Sequence, residues 1–105
     1  MVRRAPLDLA GGTAVVTGAA MGMGRLHAER VLAAGATAVL LDRDEAALTA
    51  TAEELRAAGG RVHPVVVDLA DPEAPAAVAE QVLADVGVPH LLVNNAGVVR
   101  AGLTW

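Results

Sequence analysis

Short contiguous apolar runs alternate along this chain with longer stretches whose apolar residues recur at helical spacing. The first run, Thr13 to Thr17, is apolar and β-branched and lies between Gly11-Gly12 and Gly18. It reads as a strand buried on both faces. From Gly22 to Ala34, the residues Leu26, Val31 and Leu32 with alanines between them predict a helix that Gly35 is placed to end. Ala38-Val39-Leu40-Leu41 is a second buried strand, closed by Asp42. Asp44 is a candidate cap for the next helix, which carries Leu48 and Leu55 on one face and stops at Gly59-Gly60. Arg61 to Val67 predicts a third strand. Asp71-Pro72, read as N-cap and first helical position, opens a helix that runs to Val86 before Gly87. His90 to Val93 is the fourth strand, ended by the turn Asn94-Asn95-Ala96-Gly97. Strands alternating with helices of this length predict parallel βαβ units, and right-handed crossovers put helices on both faces of the sheet.

Composition narrows the core and the partners. The 105 residues allow one small domain. The hydrophobic fraction is 54%, but much of it is Ala, and Trp105 is the only aromatic residue. With no Phe, Tyr, Ile or Cys, Val and Leu must form the interior against thin, Ala-faced helices. All eight basic residues are Arg, and the net charge of −4 comes from interspersed acids and bases. That distribution is unlike a nucleic-acid footprint. The absence of Cys excludes disulfides and thiolate metal sites and fits a reducing compartment. Arg3-Arg4 is followed by Pro6 and Asp8 where a signal peptide needs an apolar core. No stretch approaches the roughly 18 apolar residues of a membrane span. We expect a soluble, cytoplasmic protein without a membrane or nucleic-acid partner.

The chemistry is concentrated in Thr17-Gly18-Ala19-Ala20-Met21-Gly22-Met23-Gly24. The order strand, glycine turn, helix is how a dinucleotide pyrophosphate is held against helix N–H groups. Gly18 lets the chain leave the strand in a conformation costly for a residue with a Cβ. Gly22 lets the backbone approach the pyrophosphate, and Gly24 lets the helix pack closely on the strand. Asp42, about 20 residues downstream at the end of the next strand, is placed to accept hydrogen bonds from the adenosine ribose hydroxyls. A carboxylate there repels a 2′-phosphate and favours NAD over NADP, and Arg43 beside it partly offsets that preference.

Three motifs in order, Thr17-Gly18-x-x-x-Gly22-x-Gly24, Asp68-Leu69 and Asn94-Asn95-Ala96-Gly97, resemble the compact form of the short-chain dehydrogenase/reductase family. The resemblance covers nearly the whole chain. It implies an α/β, Rossmann-like doubly wound parallel sheet of strand order 3-2-1-4. It also implies hydride transfer between a nicotinamide dinucleotide and an alcohol/carbonyl pair. Thr17, Ala20 and Met21 then join the glycines in the cofactor-binding stretch. Asp68 would hydrogen-bond the adenine amino group, with Leu69 beside the ring. Asn95 would brace the central sheet, while Ala96 and Gly97 line the cofactor pocket. Met23 stands where many members carry Ile, on the nicotinamide side. Complete members are homo-oligomers.

The family's proton relay is a Ser with a Tyr-x-x-x-Lys pair, and this chain contains no Ser, Tyr or Lys. We therefore assign no catalytic residue and no metal ligand. His27, His63 and His90 do not converge on the glycine turn, because His63 and His90 sit at strand starts, opposite the nucleotide crevice. Residues 1–105 are expected to be the N-terminal, cofactor-binding part of such a domain, truncated after the fourth strand and inactive alone. The Leu91-Leu92-Val93 strand would then lie at a bare edge. The alternative is a non-catalytic nucleotide-binding or interaction module completed by a partner chain.

Overall fold

The computed structural model describes residues 9–94. Its elements are β1 (Thr13–Thr17), α1 (Gly22–Ala33), β2 (Thr37–Asp42), α2 (Glu45–Ala57), β3 (Val62–Val66), α3 (Ala74–Asp85) and β4 (Leu91–Val93). The strands form one parallel sheet in the order β3-β2-β1-β4. This is the Rossmann-like arrangement expected from the sequence. All five residues of β1 are buried, as a central strand covered on both faces requires.

Side chains alternate across the sheet, and the two faces collect two cores. Ala14, Val16, Ala38 and Leu40 face α1 and α2, meeting Ala28, Val31, Leu48, Ala52 and Leu55. Val15, Val39, Leu41 and Val65 face α3 and meet Val82. The chain builds outward from β1 through β2 to β3, then returns past β1 to add β4 on the other side. Crossovers of one hand must then place α3 on the face opposite α1 and α2. The reversal between β1 and β4 is a topological switch point.

One helix boundary changes, and α1 shows which of its residues face the sheet. The buried residues of α1 are Gly24, Ala28 and Val31, whereas Leu26 is exposed. Small residues at Gly24 and Ala28 face the sheet together with Val31, and Leu32 packs beside them. α3 starts at Ala74, not at Pro72. The Asp71 carboxylate accepts the Glu73 N–H at 3.0 Å and the Asp71 carbonyl accepts the Ala74 N–H at 3.1 Å, closing a separate turn before the helix. Asp44 does cap α2, accepting the Ala47 N–H at 3.0 Å. Gly35 and Gly59 follow their helices with φ of +89° and +95°. Pro64 is accommodated because β3 is at the sheet edge. Among the described residues β4 pairs with β1 alone, and Leu92 is exposed. No helix among them is long and apolar enough to cross a membrane.

Gly60 is packed closely between Leu32 of α1 and the end of α2. A Cβ there would stand 2.8 Å from Leu32 Cδ1 and 3.0 Å from the Leu55 carbonyl oxygen. Gly60→Ala is expected to destabilise the chain by about 1–3 kcal/mol in urea unfolding. An unchanged midpoint would show that the α1–α2 seam is looser than described.

Candidate functional site

Parallel strands carry all their carboxyl ends to one edge, and the predicted residues collect there. Thr17 pairs with Leu41, Asp42 with Val66, and Val16 with Val93. The glycine turn leaves β1 at this edge, Asp42 ends β2 there, Asp68 follows β3, and Asn94 follows β4.

Gly18 has the backbone expected of it, and Gly22 shares it. Gly18 and Gly22 both adopt φ of +60°, in the left-handed region that L residues rarely enter. A Cβ on Gly22 would meet nothing within 4 Å, so its surroundings are open space. Met21 and Met23 on either side are exposed, while Gly24 is buried at the base of α1. No side chain caps α1, and its first turn carries no acid. The N-terminal N–H groups and the positive end of the helix dipole are thus not matched by any carboxylate of this helix. Arg25, the next residue, pairs its guanidinium with Glu54 of α2 and Glu29 of α1.

Ala19 and Ala20, between the glycines, are buried and tied to β2 and α2. The Ala19 N–H donates to the Leu41 carbonyl at 3.1 Å. The Ala20 N–H donates to Asp42 Oδ2 at 3.0 Å, and the Ala20 carbonyl accepts the Thr51 hydroxyl at 2.7 Å. The other Asp42 oxygen accepts the Asp44 N–H at 3.0 Å. Both oxygens are therefore oriented by backbone donors, and each retains further acceptor capacity. Asp42 is half-buried, and Arg43 beside it is exposed.

Thr17 is buried at the end of β1. Its hydroxyl lies 3.1 Å from Asn94 Oδ1 and 3.4 Å from the Val93 carbonyl. This contact ties β4 to the strand that carries the glycine turn. Asp68 is exposed, accepts the Ala70 N–H at 2.9 Å, and is followed by half-buried Leu69. Asn95, Ala96 and Gly97 lie outside the described residues. Thr51 was not singled out by sequence reasoning, and Asn94 was named only as part of its motif, without a partner. A threonine in a helix has no distinctive spacing, and its partner lies 31 residues away.

The histidines lie elsewhere. His63 Nε2 is 3.2 Å from Asp85 Oδ2, near the start of β3. His90 Nδ1 accepts the Thr13 N–H at 3.2 Å before β4, which requires that ring nitrogen to be unprotonated. Both stand at the amino edge of the sheet. Among the described residues no group of three or more His, Asp or Glu could hold a metal ion.

Comparison with known proteins gives consistent matches. A family profile described as short chain dehydrogenase matches residues 12–104. A probable oxidoreductase of Mycobacterium tuberculosis, EphD, is 48% identical over 87 residues, covering 83% of this chain and 15% of its own length. A short chain dehydrogenase/reductase of Burkholderia phymatum, solved in complex with NAD, is 41% identical with a TM-score of 0.78; the match covers 82% of this chain and 31% of that one. L-sorbose reductase of Gluconobacter frateurii, solved with NADPH and L-sorbose, is 39% identical with a TM-score of 0.81; here the shares are 90% and 37%. The chain thus spans about a third or less of the length of these relatives.

Asp42 faces two backbone donors, and an amide in its place can accept only one of them while turning an NH2 toward the other. Asp42→Asn is expected to lower stability by about 1 kcal/mol in urea unfolding, with faster hydrogen exchange at the Ala20 or Asp44 amide. Wild-type exchange at both amides would show that the carboxylate does not hold the turn.

Proposed function

The chain belongs to the short chain dehydrogenase family, and from that premise we propose that it forms a nicotinamide dinucleotide platform that prefers NAD to NADP. The observation that carries this reading is the paired left-handed glycines, Gly18 and Gly22, opening onto an uncapped helix start with open space over Gly22. Backbone N–H groups at the start of α1 would bind the pyrophosphate. Asp42, oriented by the Ala20 and Asp44 amides, would accept hydrogen bonds from the adenosine ribose hydroxyls. Its negative charge would oppose a 2′-phosphate, and Arg43 would moderate that opposition. Asp68 and Leu69 would take the adenine, and Met21 and Met23 would flank the dinucleotide. Asn95, Ala96 and Gly97, which follow β4 in the sequence, would complete the proposed set.

When bound, the nicotinamide supplies or accepts a hydride, and the reaction class of the whole protein would be interconversion of an alcohol and a carbonyl compound. General acid–base catalysis at the substrate oxygen needs a titratable group within hydrogen-bond reach. With no Ser, Tyr or Lys in the sequence, the family's relay is not supplied by these residues. The 105-residue chain is proposed to bind cofactor without turning over an alcohol by itself, and to act in the cytoplasm.

Calorimetric titration of the folded chain tests this directly. NAD is expected to bind about tenfold more tightly than NADP, and Asp42→Ala is expected to bring the two affinities within about twofold. The ratio is diagnostic even if the substitution weakens both ligands. No heat of binding at millimolar NAD from a folded sample would sink the proposal, and equal wild-type affinities would remove the preference.

A further inference from the structure

Thr51 is a polar side chain in an apolar place. It lies on the sheet-facing side of α2 beside Ala52, between Leu48 and Leu55, and is only 3% exposed. A helical threonine usually satisfies its hydroxyl on the carbonyl one turn back. Here it reaches out of its helix instead, donating at 2.7 Å to the carbonyl of Ala20, a residue of the glycine turn. The N–H of the same residue is taken by Asp42 Oδ2 at 3.0 Å. Both polar backbone groups of Ala20 are thus held, one from the helix and one from the strand end that precedes it. Ala20 is itself buried, so losing either partner would leave a backbone group facing the interior.

We propose that Thr51 is a positioning residue for the dinucleotide site: with Asp42 it clamps Ala20 and so holds the turn between Gly18 and Gly22 in the shape that receives the pyrophosphate. The inference rests on the nucleotide-binding reading above. A turn of this kind needs an external hold, because two glycines of wide conformational freedom flank it. The Ala19 N–H bond to Leu41 secures its start and the clamp secures its centre. Thr51 touches no cofactor in this scheme. It fixes the peptide that leads into Met21 and Gly22, where the first amides of α1 begin.

The test uses the full chain and the variants Thr51→Val and Thr51→Ser. Valine keeps the branched shape and removes the donor, whereas serine keeps the donor. Three readouts are compared: NAD and ADP affinity, adenosine affinity by chemical-shift titration, and hydrogen exchange of the ligand-free chain across residues 18–24. Thr51→Val is expected to weaken NAD and ADP about tenfold, to leave adenosine within about twofold, and to accelerate exchange in the turn alone. Thr51→Ser is expected to restore both behaviours to within about twofold. Unchanged phosphate affinity and unchanged turn exchange in Thr51→Val overturn the proposal. Equal weakening of NAD and adenosine, or faster exchange throughout α2 and the sheet, also overturns it by making Thr51 a general stability residue. If the wild-type chain binds no NAD, the nucleotide reading fails and the site role of Thr51 fails with it. The exchange comparison still decides whether the clamp exists.

Discussion

The chain must pass from β1 into α1 within a few residues and emerge with the first turn of the helix open to solvent. That passage runs through left-handed backbone at Gly18 and Gly22, which gives the turn its shape and also leaves it without local restraint. The restraint comes from neighbours: the Leu41 carbonyl and Asp42 carboxylate at the end of β2, and the Thr51 hydroxyl on α2. Asp42 therefore has two duties. It shapes the turn through the Ala20 amide and presents a charged acceptor at the same edge. The specificity proposed for this residue and the architecture of the turn are physically coupled.

The sheet makes these contacts possible. Parallel pairing of β1 with β2 and of β1 with β4 puts the ends of neighbouring strands side by side, so residues far apart in the chain meet at one edge. The same pairing keeps His63 and His90 at the other edge, in structural bonds to Asp85 and to the Thr13 amide. Small side chains serve the same end. Gly24 and Ala28 of α1 let that helix sit close to the sheet, and Ala52 does so for α2 over β2 and β3. The Ala-rich composition is in this sense a packing solution for a core that contains no aromatic ring.

Much of this organisation was legible in the sequence. The limits of β1, the cap at Asp44, the glycine stops at Gly35 and Gly59 and the alternation of strands with helices follow from local chemistry. Each depends on residues within a turn or two of one another, or on a periodicity that burial imposes. The glycine turn and Asp42 were legible for the same reason, whereas Asp68 was marked only through the family resemblance. The reading that changed was one in which a nearby competitor won: Asp71 closes its own turn before α3 can begin.

The sequence by itself determined the succession of elements, the positions at which the backbone must turn left-handed, and the acids that end the strands. Tertiary structure decided what those groups touch. Thr51 reaches Ala20 across 31 residues, Asp42 reaches it across 22, and Thr17 meets Asn94 across 77. No periodicity encodes such distances, because they are set by the crossover path and the sheet register. A threonine on a helix face and an alanine in a turn carry no sign of each other until the layers are packed.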